Sequence, residues 1–123
     1  MAAVLLVEDD TDSCRAIATF LRRAGHDVTA VTNGREALAH VLAKVPDVVL
    51  LDVLMPELDG PAFLDIVRSY LRLQSLPAVV LTGLPGGVET LRRLNVSSIL
   101  VKGKASLDDI RRAVEDALPH PPA

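Results

Sequence analysis

The 123-residue chain has no tryptophan, one tyrosine and two phenylalanines. Its core must therefore be built from Leu, Val, Ile and Ala, and stacking on nucleic-acid bases has almost no material to use. A single cysteine, Cys14, excludes an intrachain disulfide and any cysteine-based metal cluster, so its expected place is a small apolar packing position. Cations are in the minority, with 13 Lys and Arg against 16 Asp and Glu for a formal charge of -3. That balance argues against direct nucleic-acid binding, which needs clustered positive charge to meet phosphates. No apolar run approaches the ~18 residues of a membrane span. Met1 leads straight into a short apolar run ended by acids, with no basic region or cleavage site. No signal peptide is read there, and a cytoplasmic protein without a membrane partner is expected.

Half of the residues are apolar and 24% are charged, a balance that suits a globular domain. One domain over residues 1–118 is expected, with 119–123 as a terminal tail. Ala3 to Val7 reads as a buried strand stopped by Glu8, Asp9 and Asp10. Cys14, Ile17, Ala18 and Leu21 then fall at helical spacing, with Asp10 or Thr11 to cap the start and Gly25 for a left-handed end. His26 to Val31 reads as a second strand, weakened by Thr29 and so suited to an edge. Asn33, with Glu36 at the capping-box position, opens a second helix with Ala37, Leu38, Val41 and Leu42 inside, and Pro46 bars its continuation. Val48 to Leu51 are four branched apolar residues without polar alternation, a strand covered on both faces that ends at Asp52. After Asp59-Gly60-Pro61, a third helix has Phe63, Ile66, Val67 and Tyr70 at its inner spacing and Asp65, Arg68 and Arg72 outside. Ala78 to Leu81 is a fourth strand ending at Thr82-Gly83, followed by a break at Pro85-Gly86-Gly87. Residues 88–94 leave room for about two helical turns. Ile99 to Val101 is a fifth strand ending at Lys102. Ser106, with Asp109 at the box position, caps a last helix with Leu107, Ile110, Val114 and Ala117 inward.

Five apolar strands alternating with five helical patterns imply βαβ units, hence a parallel sheet between helical layers. In such a sheet all strands end at one edge, where ligands bind. Glu8, Asp9, Asp52, Thr82 and Lys102 stand at those ends. Each has a plain reading alone: Glu8 to Asp10 as the acidic start of a helix, Thr82 as a turn residue, Lys102 as solvated surface. Together, at successive strand ends, they favour a site. If the first and third strands are neighbours, three carboxylates meet and need positive charge, which a hard divalent cation or Lys102 can supply. Carboxylates with water suit Mg²⁺, and without Cys or His nearby zinc is not expected. Asp52 can then act as a nucleophile toward phosphorus, with Lys102 and the Thr82 hydroxyl stabilising phosphoryl oxygens.

These residues carry a resemblance. The acid pair in Val7-Glu8-Asp9, the run Asp52-Val53-Leu54-Met55-Pro56 with Asp59-Gly60, Leu81-Thr82-Gly83 and Val101-Lys102 resemble a response-regulator receiver domain, the phosphoacceptor module of bacterial two-component signalling. The likeness runs from about Ala3 to Leu118. It implies a single-domain flavodoxin-like (βα)5 α/β sandwich with a five-stranded parallel sheet of order 2-1-3-4-5. It implies Asp52 as the phosphorylation site, and Asp9, Asp52 and the Leu54 backbone carbonyl as Mg²⁺ ligands, with Glu8 acting through a water. Thr82 would bond the phosphoryl group and Lys102 would pair with it. The partners implied are a histidine kinase or histidine phosphotransfer protein, or a small acyl phosphate as donor. Self-association or an output partner would use the face from the fourth to the fifth helix. The chain would not be a turnover enzyme, beyond slow self-dephosphorylation.

The chain departs from the family pattern at three places. Gly103 stands where most members have a cis proline after the lysine, and a cis bond without proline costs about 2.5–4 kcal/mol, so a trans bond and a changed loop are expected. Ile99 replaces the aromatic switch residue, and Pro85-Gly86-Gly87 shortens the fourth helix; signalling by a modified route, through loop ordering around Gly86-Gly87, is the expectation. Leu54 and Leu84, two residues after Asp52 and Thr82, cannot orient a water, which predicts a long-lived phosphoryl group. Two other functions stay open: a degenerate receiver that binds a partner without phosphorylation, and an Asp-nucleophile, Mg²⁺-dependent phosphatase. The second lacks an acid at Leu54, where such phosphatases place one.

Overall fold

The computed structural model describes residues 2–53, 58–83 and 88–118, the side chains of 88–90 excepted. Among them run β1 (Ala3–Val7), α1 (Thr11–Arg23), β2 (Asp27–Val31), α2 (Gly34–Ala43), β3 (Val48–Asp52), α3 (Gly60–Arg68), a 3₁₀ turn (Leu71–Leu73), β4 (Ala78–Thr82), α4 (Val88–Arg93), β5 (Ser98–Val101) and α5 (Leu107–Ala117). The strands form one parallel sheet in the order β2-β1-β3-β4-β5. The expected flavodoxin-like α/β sandwich is therefore the observed one, with the weak second strand at an edge. Three expectations lie outside the described residues: the Leu54 carbonyl with Met55 and Pro56, the Leu84 to Gly87 break, and the tail 119–123.

The continuous apolar runs follow from the layering. Successive side chains of a strand point to opposite faces, and here both faces are covered. Val4, Leu6, Val48, Leu50, Val79 and Leu81 pack with Ile17, Ala18 and Leu21 of α1 and Ile110, Ala113 and Val114 of α5. Their neighbours Leu5, Val7, Val49, Leu51, Ala78 and Val80 pack with Ala37 and Val41 of α2, Phe63, Leu64 and Val67 of α3, and Leu91 of α4. A polar residue at any of these positions would face a core.

Capping follows the local chemistry. Asp10 accepts from the Ser13 N–H at 3.0 Å, so it is Asp10 and not Thr11 that starts α1. Asn33 accepts from the Glu36 N–H at 2.8 Å, and Ser106 with Asp109 forms the full capping box at 3.0 and 2.9 Å. Gly25 is left-handed at φ 96°, as its place after α1 requires.

Some side chains differ from the sequence reading. His26 precedes β2 instead of opening it, because its N–H donates to Leu21 O at 3.1 Å and so closes the end of α1; its side chain meets Glu115 of α5 at 2.9 Å. Tyr70 lies beyond α3 and is 42% exposed, and Leu64 takes the inner position in its place. Leu107, at the first turn of α5, is 37% exposed, so Ala113 completes that stripe. Arg68 does not point outward. Its guanidinium donates to the carbonyls of Leu94 at 2.9 Å, Leu73 at 3.0 Å and Asn95 at 3.2 Å, tying the end of α3 to the end of α4.

Candidate functional site

Strand register decides which chemistry-bearing residues meet. Val7 is paired with Leu51, so Glu8 and Asp9 emerge beside Asp52. Asp52 is in turn paired with Leu81 and Thr82 with Val101, so Thr82 and Lys102 close the same edge from the other side. Carboxylate oxygens of Glu8, Asp9 and Asp52 lie within 4.8 Å of one another. Burial is uneven across them. Glu8 is fully buried and Asp52 nearly so, while Asp9 is exposed, and Thr82 is buried beside them.

Lys102 spans the cluster. Its ammonium donates to Asp52 Oδ2 at 2.7 Å and to Glu8 Oε1 at 3.0 Å, and it sits 2.9 Å from Glu8 Oε2. Burial pushes the Glu8 carboxyl above its ordinary range, against the hydrogen bonds from Lys102 and from the Asp10 N–H that favour its charged form. For Lys102, burial would lower the pKa, but the bonds to Asp52 and Glu8 outweigh it and hold the ammonium above its ordinary value. Three carboxylates face one ammonium, which leaves negative charge in excess when all are ionised.

The donor set fits a hard divalent cation. Glu8 Oε2 is buried and makes no hydrogen bond of acceptable geometry, so the cluster retains acceptor capacity beyond what Lys102 uses. All its protein donors are oxygens at one sheet edge, the chemistry that Mg²⁺ prefers.

The backbone around this edge is packed closely at two glycines. A Cβ on Gly60 would come within 3.0 Å of the Asp52 carbonyl oxygen and of Val53 Cα. The Gly60 N–H donates to Val53 O at 3.0 Å, folding the start of α3 back onto the end of β3. A Cβ on Gly34 would collide with the Leu58 carbonyl oxygen, so the start of α2 presses on the loop that follows Asp52. Sequence reasoning missed Gly34. The available signal was a glycine at the first position of a helix, where it is a poor helix former and Asn33 already supplies the cap.

Gly103 follows Lys102 in a trans peptide, no cis bond occurring among the described residues, and its φ is +84°. The loop after Lys102 thus has the changed course expected without proline. Ile99 is partly buried against the α2–α4 layer, and among the described residues α4 runs over Val88–Arg93.

The family model for the response regulator receiver domain matches residues 4–115. The transcriptional regulatory protein ZraR of Salmonella typhimurium is 31% identical over 119 residues, 95% of this chain and 26% of that protein. A protein-glutamate methylesterase/protein-glutamine glutaminase of Archaeoglobus fulgidus is 33% identical over 118 residues, 92% of this chain and 33% of that protein. The chain thus spans about a quarter to a third of these relatives. Among solved structures, the chemotaxis response regulator CheY4 of Vibrio cholerae superposes with a TM-score of 0.88 at 28% identity, covering 96% of this chain and 99% of that one. The signal receiver domain of a histidine kinase from Syntrophus aciditrophicus gives 0.87 at 28% identity, over 96% and 90%. With the fold, the acidic edge and the family match in agreement, the chain belongs to the response-regulator receiver domains of two-component signalling.

Proposed function

We propose that this receiver accepts a phosphoryl group on Asp52. The observation that carries the reading is Lys102 held between Asp52 and Glu8 at the shared edge of β1, β3 and β4. Asp52 Oδ attacks the phosphorus of a phosphohistidine on a kinase or phosphotransfer protein, or of a small acyl phosphate. An O–P bond forms, the bond from phosphorus to the donor breaks, and the donor atom keeps the electron pair. Asp9, Asp52 and the Leu54 carbonyl would hold Mg²⁺, with Glu8 acting through a water; the ion supplies charge neutralisation at the phosphoryl oxygens.

The chain's own residues do the rest. Lys102 exchanges its 2.7 Å bond to Asp52 for a phosphoryl oxygen while Glu8 keeps the ammonium in place. The Thr82 hydroxyl, at the end of the adjacent strand, donates to a second oxygen. Leu54 and Leu84 offer no hydrogen bond to a water, so the acyl phosphate is long-lived. The domain acts in the cytoplasm and passes its state to a partner or output segment through the α4–α5 face.

Intact mass after incubation with acetyl phosphate and Mg²⁺ tests this. The wild type is expected to gain the mass of one phosphoryl group, and Asp52→Ala none. A wild type unmodified by acetyl phosphate and by a histidine kinase would sink the reading in favour of a receiver that binds its partner without phosphorylation.

A further inference from the structure

The loop after β5 carries a feature that the chemistry of the acidic edge leaves unexplained. The Lys104 N–H donates to Val101 O at 3.1 Å and the Ala105 N–H to the same oxygen at 3.0 Å, so the chain reverses over Val101, Lys102, Gly103 and Lys104. The third residue of that reversal, Gly103, has φ +84°, whereas Lys102 is not among the positive-φ residues. This is the pattern of a type II turn, whose third position needs a left-handed residue. Lys102 occupies the second position. Its own N–H is fixed to Thr82 O at 2.8 Å.

The side chain of Lys102 has four rotatable bonds, and an ammonium on so flexible a stem is confined only as well as its Cα is placed. Here the Cα is held from both sides, by β4 through Thr82 and by the turn through Val101. Gly103 itself is exposed, and a Cβ built on it meets nothing within 4 Å. Packing therefore does not require a glycine there; only the backbone conformation does.

We propose that Gly103 is a positioning residue for Lys102: its left-handed backbone closes the turn that aims the ammonium at Asp52 Oδ2 and Glu8 Oε1. Insofar as Lys102 serves phosphoryl transfer, this rests on the phosphoacceptor reading; the aim of Lys102 at the two carboxylates does not. Side chains differ in their tolerance of this conformation in a known order, with Asn well tolerated, Ala penalised and β-branched residues penalised most. All three keep the backbone N–H. A series at position 103 thus separates backbone conformation from the mere presence of a side chain.

The test uses the wild type, Gly103→Asn, Gly103→Ala and Gly103→Val, each with its melting temperature recorded, and two readouts. The first needs no phosphoryl donor: acylation of the Lys102 amine by a water-soluble reagent, mapped by peptide mass spectrometry with exposed Lys44 as internal reference. Gly103→Val is expected to acylate about fivefold faster or more, the factor matching the left-handed penalty. Gly103→Ala should be intermediate, and Gly103→Asn within about twofold of the wild type. The second is the rate of mass gain with acetyl phosphate and Mg²⁺, which should fall in the same order. Should Gly103→Val melt at the assay temperature, the comparison of Ala with Asn decides. Equal acylation in all four proteins, or Asn as fast as Val, would overturn the proposal. If the wild type gains no mass while acylation still ranks Gly and Asn below Ala and Val, the positioning role stands and the phosphoacceptor reading falls.

Discussion

At the scale of single residues, the acidic edge balances burial against charge. Glu8 has a folded pKa above its ordinary 4.5, chiefly because it is buried. A raised pKa means that its contribution to stability is complete below the unfolded value and is lost as pH rises through the folded value. As pH rises above the ordinary 4.5, in chelator, the wild type is expected to lose stability relative to Glu8→Gln, and Mg²⁺ should narrow that gap by screening the carboxylate. Urea denaturation at several pH values measures both, and parallel curves for the two proteins would refute it. Lys102 is also raised, so its contribution holds below the ordinary 10.5 and disappears above the folded value. Removing it as Lys102→Met leaves two carboxylates uncompensated. A loss of about 1 kcal/mol at low salt is expected, discounted because the side chain is 32% exposed, with recovery on adding Mg²⁺. The gathering of Glu8, Asp9, Asp52, Thr82 and Lys102 was legible because strand ends in a parallel sheet share an edge. Arg68 was misread because a lone Arg on a helix normally faces water, and the carbonyls it meets belong to segments 5 to 27 residues away.

The helices and their ends carry the next layer of consequence. Arg68 closes the junction of α3, the 3₁₀ turn and the end of α4 with three bonds to carbonyls, and burial lowers its pKa. With Arg68→Met the Leu94 and Asn95 oxygens lose the guanidinium donor, while Leu73 O keeps the Leu76 N–H, at a cost of about 1–3 kcal/mol. Amide hydrogen exchange across residues 94–97 is expected to accelerate ahead of the rest of the sheet; unchanged protection there would show the junction is held by other means. At the other end of the molecule, the Ser106–Asp109 box starts α5, and Ser106→Ala should cost about 1 kcal/mol. Asp109 is held below its ordinary pKa by the Ser106 backbone and hydroxyl, and Asp108 by Arg111 and Arg112. Lowered carboxyl values contribute stability above the unfolded pKa and lose it as pH falls through the folded one. The α5 region is therefore expected to loosen on acidification, while Glu8 becomes easier to bury. The two trends have opposite sign, and helix signal followed together with Glu8 titration separates them.

For the molecule as a whole, the sheet divides the core in two, and β3 runs through its centre with every residue buried. Leu50 faces α1 and α5, and Leu51 faces the opposite layer. Truncation of either to Ala should cost about 2–5 kcal/mol, since a central strand offers no solvent into which the space can collapse. Loss well under that in thermal or urea denaturation would indicate a looser core than the packing implies. Ile99 lies on the side of the sheet that α2, α3 and α4 cover. The position is aliphatic and packed in that layer, so it holds no aromatic ring that could rotate there.

The sequence by itself determined that strands alternate with helices, that the strands are buried on both faces, where most helices start, and which chemical groups stand at strand ends. Those features depend on neighbours within a few residues, through apolar periodicity, capping and the φ limits of proline and glycine. Tertiary structure decided what needs the third dimension. Register brought Lys102 between Asp52 and Glu8. The carbonyls of Leu73, Leu94 and Asn95, brought together by packing, turned Arg68 inward. The Glu115 side chain of α5 met His26 from 89 residues away, and the close approach of two backbones made Gly34 necessary. Each depends on atoms far apart in the chain, whose distance is set by packing and not by spacing along the sequence.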